Sequence, residues 1–257
     1  MSKVIVLIPV RLESTRFPNK PLIEINNKSM IQHIYENVKK YTTYDVCVAT
    51  GNQEIVDNVK TFNGNVVLTS NDLPSGSDRI YEAFKIIDPD QNKYDIIVNF
   101  QGDAINTRPE IITDLVELLE KTDSDITTPV MIMKAEDHNN PGCVKAVAPL
   151  SATVDEAKAL YFSRAKVPHD RDEKTLDLFH HIGIYAYKIA ALEKFVDAPV
   201  GVLENREKLE QLRALEIGLN IWVKVISKLK IFDNAPADID TPEEYEAVKK
   251  VLEDKSN

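Results

Sequence analysis

Lys3-Val-Ile-Val-Leu-Ile-Pro9 leads, through Val10, into Arg11-Leu-Glu-Ser-Thr-Arg-Phe-Pro-Asn-Lys20. The apolar run from Val4 has the length and composition of a strand buried on both faces, as in a parallel sheet. Three cations, Arg11, Arg16 and Lys20, then leave its carboxyl end on a polar loop. Ligands of open α/β sheets bind at that end. The chain carries a formal net charge of −10, so cations gathered there read as an anion site, and the anion expected is a nucleotide triphosphate. The loop has no glycine, which excludes a Walker A loop and a Rossmann turn. Arg11 and Arg16 suit bidentate contact with phosphate oxygens, Lys20 acts as a point charge, and Ser14 and Thr15 add hydroxyls. The alternative is a solvated basic loop.

Outward from this loop, strand and helix patterns alternate. Met30–Tyr41 is an amphipathic helix, Asp45–Thr50 a strand, Gln53–Phe62 a helix, Asn65–Thr69 a strand and Ser77–Ile87 a helix. Tyr94–Phe100 is a strand that reads into Gln101-Gly102-Asp103, followed by a helix over Arg108–Lys121 and a strand over Asp125–Met133. Such β–α alternation predicts an α/β fold with a largely parallel sheet covered by helices. After about Ala135 the pattern changes. Cys143–Pro149, Ala157–Ser163 and His181–Lys188 read as short strands of an antiparallel insertion, followed by a helix over Arg206–Ile217 and a strand over Ile221–Ser227. Thr241 as N-cap, Pro242 at the first helical position and the acids after it predict a last helix to about Leu252. The expected division is a core over 1–134, an insertion over 135–220 and a return to the core over 221–257.

Composition narrows the function classes. A hydrophobic content of 43% with 28% charged residues describes an ordinary globular protein of 257 residues. No secretory signal pattern and no apolar run near the ~20 residues of a membrane helix is present, so a cytoplasmic location without membrane association is expected. The 41 acids against 31 lysines and arginines argue against nucleic-acid binding, which requires a basic face. Cys47 and Cys143 read as free thiols and form no zinc spacing with the five histidines. With only eight glycines in the chain, Gly76 and Gly102 stand out as sites for close backbone approach to a ligand, or as simple turn glycines.

The segment Ile8-Pro-Val-Arg-Leu-Glu-Ser-Thr-Arg-Phe-Pro-Asn-Lys-Pro-Leu22 closely resembles the first signature of the bacterial 3-deoxy-manno-octulosonate (KDO) cytidylyltransferases. Further matching motifs follow in order: Ser75-Gly-Ser-Asp-Arg79, Asn99-Phe-Gln-Gly-Asp103, Leu160-Tyr-Phe-Ser-Arg164, His181-Ile-Gly-Ile-Tyr185, Leu209-Glu-Gln-Leu-Arg213 and Asp240-Thr-Pro-Glu243. The resemblance spans essentially the whole chain. It implies the α/β/α sandwich of nucleotide-diphospho-sugar transferases, with a smaller antiparallel element that helps form a homodimer. It also implies transfer of CMP from CTP to the anomeric hydroxyl of an eight-carbon acidic sugar, with release of pyrophosphate, for lipopolysaccharide biosynthesis.

The residue roles follow the same resemblance. Asp103 and Asp240 match the aspartates that bind catalytic magnesium, and two separated carboxylates converging on one cation are a common way to hold Mg²⁺. Taken singly, Asp103 reads as a turn residue and Asp240 as a capping acid, with Asp238 a nearby rival. Arg11, Ser14, Arg16, Lys20, Ser75, Gly76, Arg79, Gln101 and Asp103 are the nucleotide candidates, although Arg79 also reads as an exposed helix arginine. Gln101, Arg164, His181, Tyr185, Glu210 and Gln211 are the sugar candidates. Arg164 is the expected cation for the sugar carboxylate. Glu204, Glu207 and Glu210 equally fit a solvated helix face at i, i+3 spacing, and His181 a structural histidine.

Departures from the family pattern cluster around the metal and sugar motifs. Asn19 replaces a glycine, and asparagine is the next best residue for a left-handed conformation. Gln-Gly-Asp-Glu-Pro is here Gln101-Gly-Asp-Ala-Ile105, Pro-Trp-Asp-Arg is Pro168-His-Asp-Arg171, and an arginine is replaced by His180. These changes make 8-amino-3,8-dideoxy-manno-octulosonate a candidate sugar beside KDO. The rival functions are cytidylyl transfer to a nonulosonic, sialic-type acid and non-catalytic nucleotide binding on the same fold.

Overall fold

The computed structural model describes residues 2–13, 17–171 and 177–254. In chain order the elements are β1 (Val4–Val10), β2 (Glu24–Ile25), β3 (Lys28–Ser29), α1 (Met30–Tyr41), β4 (Asp45–Thr50), α2 (Gln53–Thr61), β5 (Val66–Leu68), α3 (Gly76–Ile87) and β6 (Ile96–Asn99). There follow α4 (Ile111–Lys121), β7 (Ile126–Ile132), β8 (Lys145–Val147), β9 (Glu156–Lys158), β10 (Tyr161–Ser163), β11 (Phe179–His181), β12 (Tyr185–Lys188), α5 (Ile189–Asp197), α6 (Val202–Glu207), α7 (Gln211–Glu216), β13 (Ile221–Val225) and α8 (Pro242–Asp254). The chain divides into two compact units, one of residues 1–112 with 229–257 and one of 113–228.

In the first unit β6, β1, β4 and β5 lie side by side in that order, all parallel. β1 is central, and Val6, Leu7 and Ile8 are fully buried, which is why its apolar run does not alternate. The chain moves from β1 outward through β4 to β5, then returns to β6 on the other side of β1. The strand order therefore reverses between β1 and β6, and the loops after those two strands flank the crevice that such a switch point leaves at the carboxyl ends. Gly102, just past β6, must be glycine for packing: an added Cβ would lie 2.5 Å from the Pro9 carbonyl oxygen and 2.1 Å from Val10 Cγ1.

In the second unit β7 carries β13 parallel along one edge and shares the other between β11 and β12, both antiparallel. β8 continues antiparallel from β11 to β10, and β9 pairs antiparallel with β13. The fold is thus the α/β class expected, with a mostly parallel sheet in the core and antiparallel strands in the later part of the chain.

Three local readings need correction. The run Ala157–Ser163 is two strands, β9 and β10, that pair with different neighbours. The run His181–Lys188 is likewise broken into β11 and β12. There Thr128 Oγ1 lies 3.0 Å from the Ile182 carbonyl and 2.8 Å from the Ile184 carbonyl, meeting the backbone groups that the break frees. The single helix expected over Arg206–Ile217 is α6 and α7, separated at Lys208 with φ 55°. Arg213 donates to both carboxylate oxygens of Glu204, at 2.8 and 2.6 Å. Nine residues of straight helix would rise about 13.5 Å, so this pair exists only because the helix is broken. Helix α5, with Leu192 and Phe195 buried, has no counterpart in the sequence reading.

Candidate active site

At the switch point a cavity of about 410 Å³ is lined by residues that include Arg11, Lys20, Ser75, Gly76, Arg79, Gln101, Asp103 and Asp240. Every one of these was a sequence candidate. Arg11 follows β1, Ser75 and Gly76 open α3, and Gln101 and Asp103 follow β6. Ser14, Thr15 and Arg16 lie outside the described residues.

Lys20 reaches the cavity through a left-handed Asn19, φ 56° and ψ 18°, the conformation for which asparagine substitutes for glycine. Its ammonium lies 3.1 Å from Asp103 Oδ2 and 3.0 Å from Asp240 Oδ1. Burial alone would lower the Lys20 pKa, but the two carboxylates outweigh it and the net shift is upward. Asp240 is delivered by the start of α8, where Glu244 accepts from the Asp240 and Thr241 amides and Thr241 Oγ1 accepts from the Glu244 amide. This is a capping box. Asp238 stays open to solvent at its edge, yet the protein packed round its carboxyl, and then the charges of Asp103 and Asp240, push its pKa up to about 7 against the pull of Lys20.

Among the described residues no group of three or more His, Cys, Asp or Glu side chains is arranged to hold a metal. The donor set nevertheless suits magnesium. Two carboxylate oxygens from distant segments already converge on one cationic atom, and Mg²⁺ is usually held by one or two carboxylates plus water and phosphate oxygens.

Two nucleotide candidates are engaged differently from expectation. The Ser75 hydroxyl caps α3, accepting from the Asp78 amide at 3.2 Å and donating to Asp78 Oδ2 at 2.6 Å. Arg79 is not an exposed helix arginine: it is buried and donates to Thr69 Oγ1 and to the Ser70 and Asn71 carbonyls. Its guanidinium therefore shapes the cavity wall. At Gly76, by contrast, an added Cβ would meet only Pro9, at 3.5 Å, so protein packing does not require glycine there.

The sugar candidates lie in the second unit. His181 is buried between Phe162 and Tyr185, with ring centroids at 5.0 and 5.4 Å. Its Nε2 lies 3.0 Å from Thr128 Oγ1 and its Nδ1 3.4 Å from Gln211 Nε2. Because the Thr128 hydroxyl donates to a carbonyl, the network assigns the proton to Nε2, with Nδ1 accepting from Gln211. Burial, reinforced by His180, drives the His181 pKa down to about 3, so the ring is neutral near pH 7. Burial, then Tyr187 and Glu210, hold the Tyr185 phenol well above its ordinary pKa. Arg164 is anchored through Nε to the Glu207 carbonyl at 2.8 Å, and through its terminal nitrogens to the Pro141 and Lys208 carbonyls. Carbonyl acceptors fix its direction without cancelling its charge. Glu210 is the N-cap residue of α7. The reading of Glu204 and Glu207 as a solvated face fails: Glu204 is buried against Arg213, and Glu207 accepts from Ser163 Oγ and the Arg164 amide.

Sequence reading missed Thr128 and Asn52 and misjudged Glu207; their side-chain partners are set by tertiary contacts at 39 or more positions' separation. Neither Thr128 nor Asn52 belongs to a motif or is marked by local periodicity, and the i, i+3 spacing around Glu207 points to solvent.

The cytidylyltransferase family model matches residues 5–225. The 3-deoxy-manno-octulosonate cytidylyltransferase of Paramagnetospirillum magneticum is 41% identical over 249 residues, covering 96% of this chain and 97% of that protein. That of Bradyrhizobium sp. strain ORS 278 is 43% identical over 253 residues, covering 98% of each. The solved structure of CMP:2-keto-3-deoxy-manno-octonic acid synthetase complexed with CTP superposes with a TM-score of 0.86 at 32% identity, over 99% of this chain and 100% of that one. A cavity at the switch point, its cations and paired carboxylates, and full-length similarity at this level lead to one assignment: the chain belongs to the cytidylyltransferase family.

Proposed function

We propose that the protein transfers CMP from CTP to the anomeric hydroxyl of an eight-carbon acidic sugar, KDO or its 8-amino analogue, and releases pyrophosphate. The observation that carries this reading is the convergence of Asp103 and Asp240 on Lys20 in a cavity also lined by Arg11 and Gln101. The relatives and the solved structure named for KDO chemistry support the sugar class.

In this reaction the anomeric oxygen attacks the α-phosphorus of CTP. The new O–P bond forms as the bond to the bridging α–β oxygen breaks, pyrophosphate departs with that electron pair, and the hydroxyl proton leaves to solvent. Arg11 and Lys20 offset the charge on the departing phosphates, while Gln101 orients base or sugar through its amide. Asp103 and Asp240 are the residues that would hold Mg²⁺, which when bound would polarise the α-phosphoryl oxygen and align the reactants. Arg164 meets the sugar carboxylate, and Gln211, Glu210 and Tyr185 offer hydrogen bonds to hydroxyls. Neutral His181 contributes packing and a fixed Gln211, not charge. Catalysis is positioning and electrostatics without a covalent enzyme intermediate.

The 8-amino analogue is included because Ala104, Ile105, His169 and His180 depart from the family pattern. A pyrophosphate-release assay with CTP, Mg²⁺ and each sugar in turn tests the reading. Turnover with KDO or its 8-amino analogue supports it, and turnover only with a sialic-type acid, or with none, overturns it. We also read the protein as a homodimer, as the family resemblance implies; sedimentation equilibrium measures this directly.

A further inference from the structure

We propose that Asn52 is a positioning residue that sets the first loop, and with it Arg11 and Lys20, for triphosphate binding; this rests on reading the cavity as the CTP pocket. Asn52 occupies the N-cap position of α2, yet its side chain makes no capping bond. It reaches across to the loop after β1. Its Oδ1 accepts from the Leu12 amide at 3.1 Å and its Nδ2 donates to Glu13 Oε1 at 3.0 Å. The Asn52 amide in turn donates to Thr50 Oγ1 at 3.2 Å, and Thr50 is fully buried in β4. The anchor is therefore rigid.

Leu12 is held from both sides, since its carbonyl accepts from the Asn19 amide at 3.3 Å. One residue, Leu12, thus links Asn52 to the residue directly before Lys20, while Arg11 is its immediate neighbour in the chain. Asn71, whose carbonyl Arg79 holds at 3.3 Å, is a lesser cause of the lowered Glu13 pKa. The loop after β4 therefore grips the loop after β1. The Asn52 contact is the first cause of the lowered Glu13 pKa.

The charge of Glu13 gives the tether its use. Glu13 and Arg11 both line the cavity, and a free carboxylate there would repel a triphosphate and compete with it for Arg11. The amide contact from Asn52 keeps Glu13 on the wall, leaving the Arg11 guanidinium for phosphate oxygens.

The test compares wild type with Asn52→Ala, Asn52→Asp and Asn52→Asp/Glu13→Gln. In Asn52→Asp the Leu12 amide keeps its acceptor but two carboxylates face each other; adding Glu13→Gln restores a donor–acceptor pair with the same net charge. With whichever of KDO and its 8-amino analogue the wild type turns over as acceptor, and Mg²⁺ present, Asn52→Ala and Asn52→Asp should raise the KM for CTP about tenfold, the equivalent of one or two modest hydrogen bonds. The sugar KM should stay within about twofold, and the double variant should recover most of the loss. The Tm should hardly move, because no helix cap is lost. Hydrogen exchange at the Leu12 amide should accelerate in Asn52→Ala and read the tether without any turnover. An unchanged CTP KM, a loss confined to kcat, no repair by Glu13→Gln, or an unchanged Leu12 exchange rate would each overturn the proposal. A wild-type protein that releases no pyrophosphate from CTP fails the functional reading instead, and the exchange rate still decides the tether.

Discussion

Asp103 and Asp240, 137 positions apart in sequence, share one ammonium: Lys20 Nζ lies 3.1 Å from the first and 3.0 Å from the second. Three segments of the first unit are thereby joined at the point where a triphosphate would enter. The contact is part-buried, so it is screened less than a surface pair.

From this contact, Asp103→Asn should reduce pyrophosphate release by about 10²–10³-fold, the usual loss when a preorganised electrostatic group is removed from a reacting centre. The protein should remain folded, since Lys20 keeps Asp240. Steady-state turnover together with a thermal melt checks both halves. Near-normal CMP-sugar formation would remove Asp103 from the chemistry.

Asp238 makes a pH prediction. Its folded pKa of about 7 lies above the ordinary carboxyl value near 3.9, so between those values the folded state holds a proton that the unfolded chain releases. Stability from this group is complete at the acid end and falls as pH rises through 7. A side-chain amide in its place would stay neutral throughout. Asp238→Asn should therefore raise Tm at pH 8 in chelator, by about 2–4 °C if solvent screening leaves ~1 kcal/mol, and the gain should shrink towards pH 5. An equal gain at both pH values would show that charge is not the cause.

His181 has the opposite sign. Its folded pKa of about 3 lies below the ordinary histidine value near 6.5, so the unfolded chain takes up a proton first as pH falls. The stabilisation is complete above about 6.5 and is lost progressively towards 3. His181→Gln should flatten the dependence of Tm on pH between 7 and 4, even though it also lowers Tm at neutral pH by disturbing Thr128 and Gln211. A slope as steep as wild type would assign the acid loss to other groups.

The Glu204–Arg213 pair is buried, and burial alone would raise the Glu204 pKa; the Arg213 fork and the Gly201 amide more than offset it. Arg213→Met should cost about 3–5 kcal/mol by leaving a buried carboxylate without its partner. Glu204→Met added to it should recover much of that loss. Urea unfolding of both variants and of Glu204→Met alone measures the coupling, and simple additivity would count against it.

What was legible in the sequence follows the range of the interactions that decide it. The parallel core was readable because β1, β4 and β6 are continuous apolar runs, and α1 and α3 carry one buried stripe each. The residues that line the cavity were readable because the motif resemblance named them and the ends of strands are where such motifs act. The helix around Lys208 was misread because i, i+3 acids suit a solvated face, whereas Glu204 answers to Arg213 across the break. The splits at Leu160 and Gly183 were also hidden, since strand propensity continues through them while the pairing partner changes. Arg79 resembled a surface arginine because nothing local reveals that three acceptors on residues 69–71 surround it.

The Lys20 contact also has a consequence for how the chain is made. Its two ends are 220 residues apart where it reaches Asp240. At 5–20 residues per second the ribosome needs roughly 10–40 s to cover that distance. Through that interval β1, β4 and β5 can already pair, while the pocket they frame lacks its second carboxylate. The nascent protein therefore acquires its scaffold well before its pocket is complete, and a chain stalled before Asp240 would carry the loop proposed to hold a triphosphate with Asp103 but without its partner carboxylate.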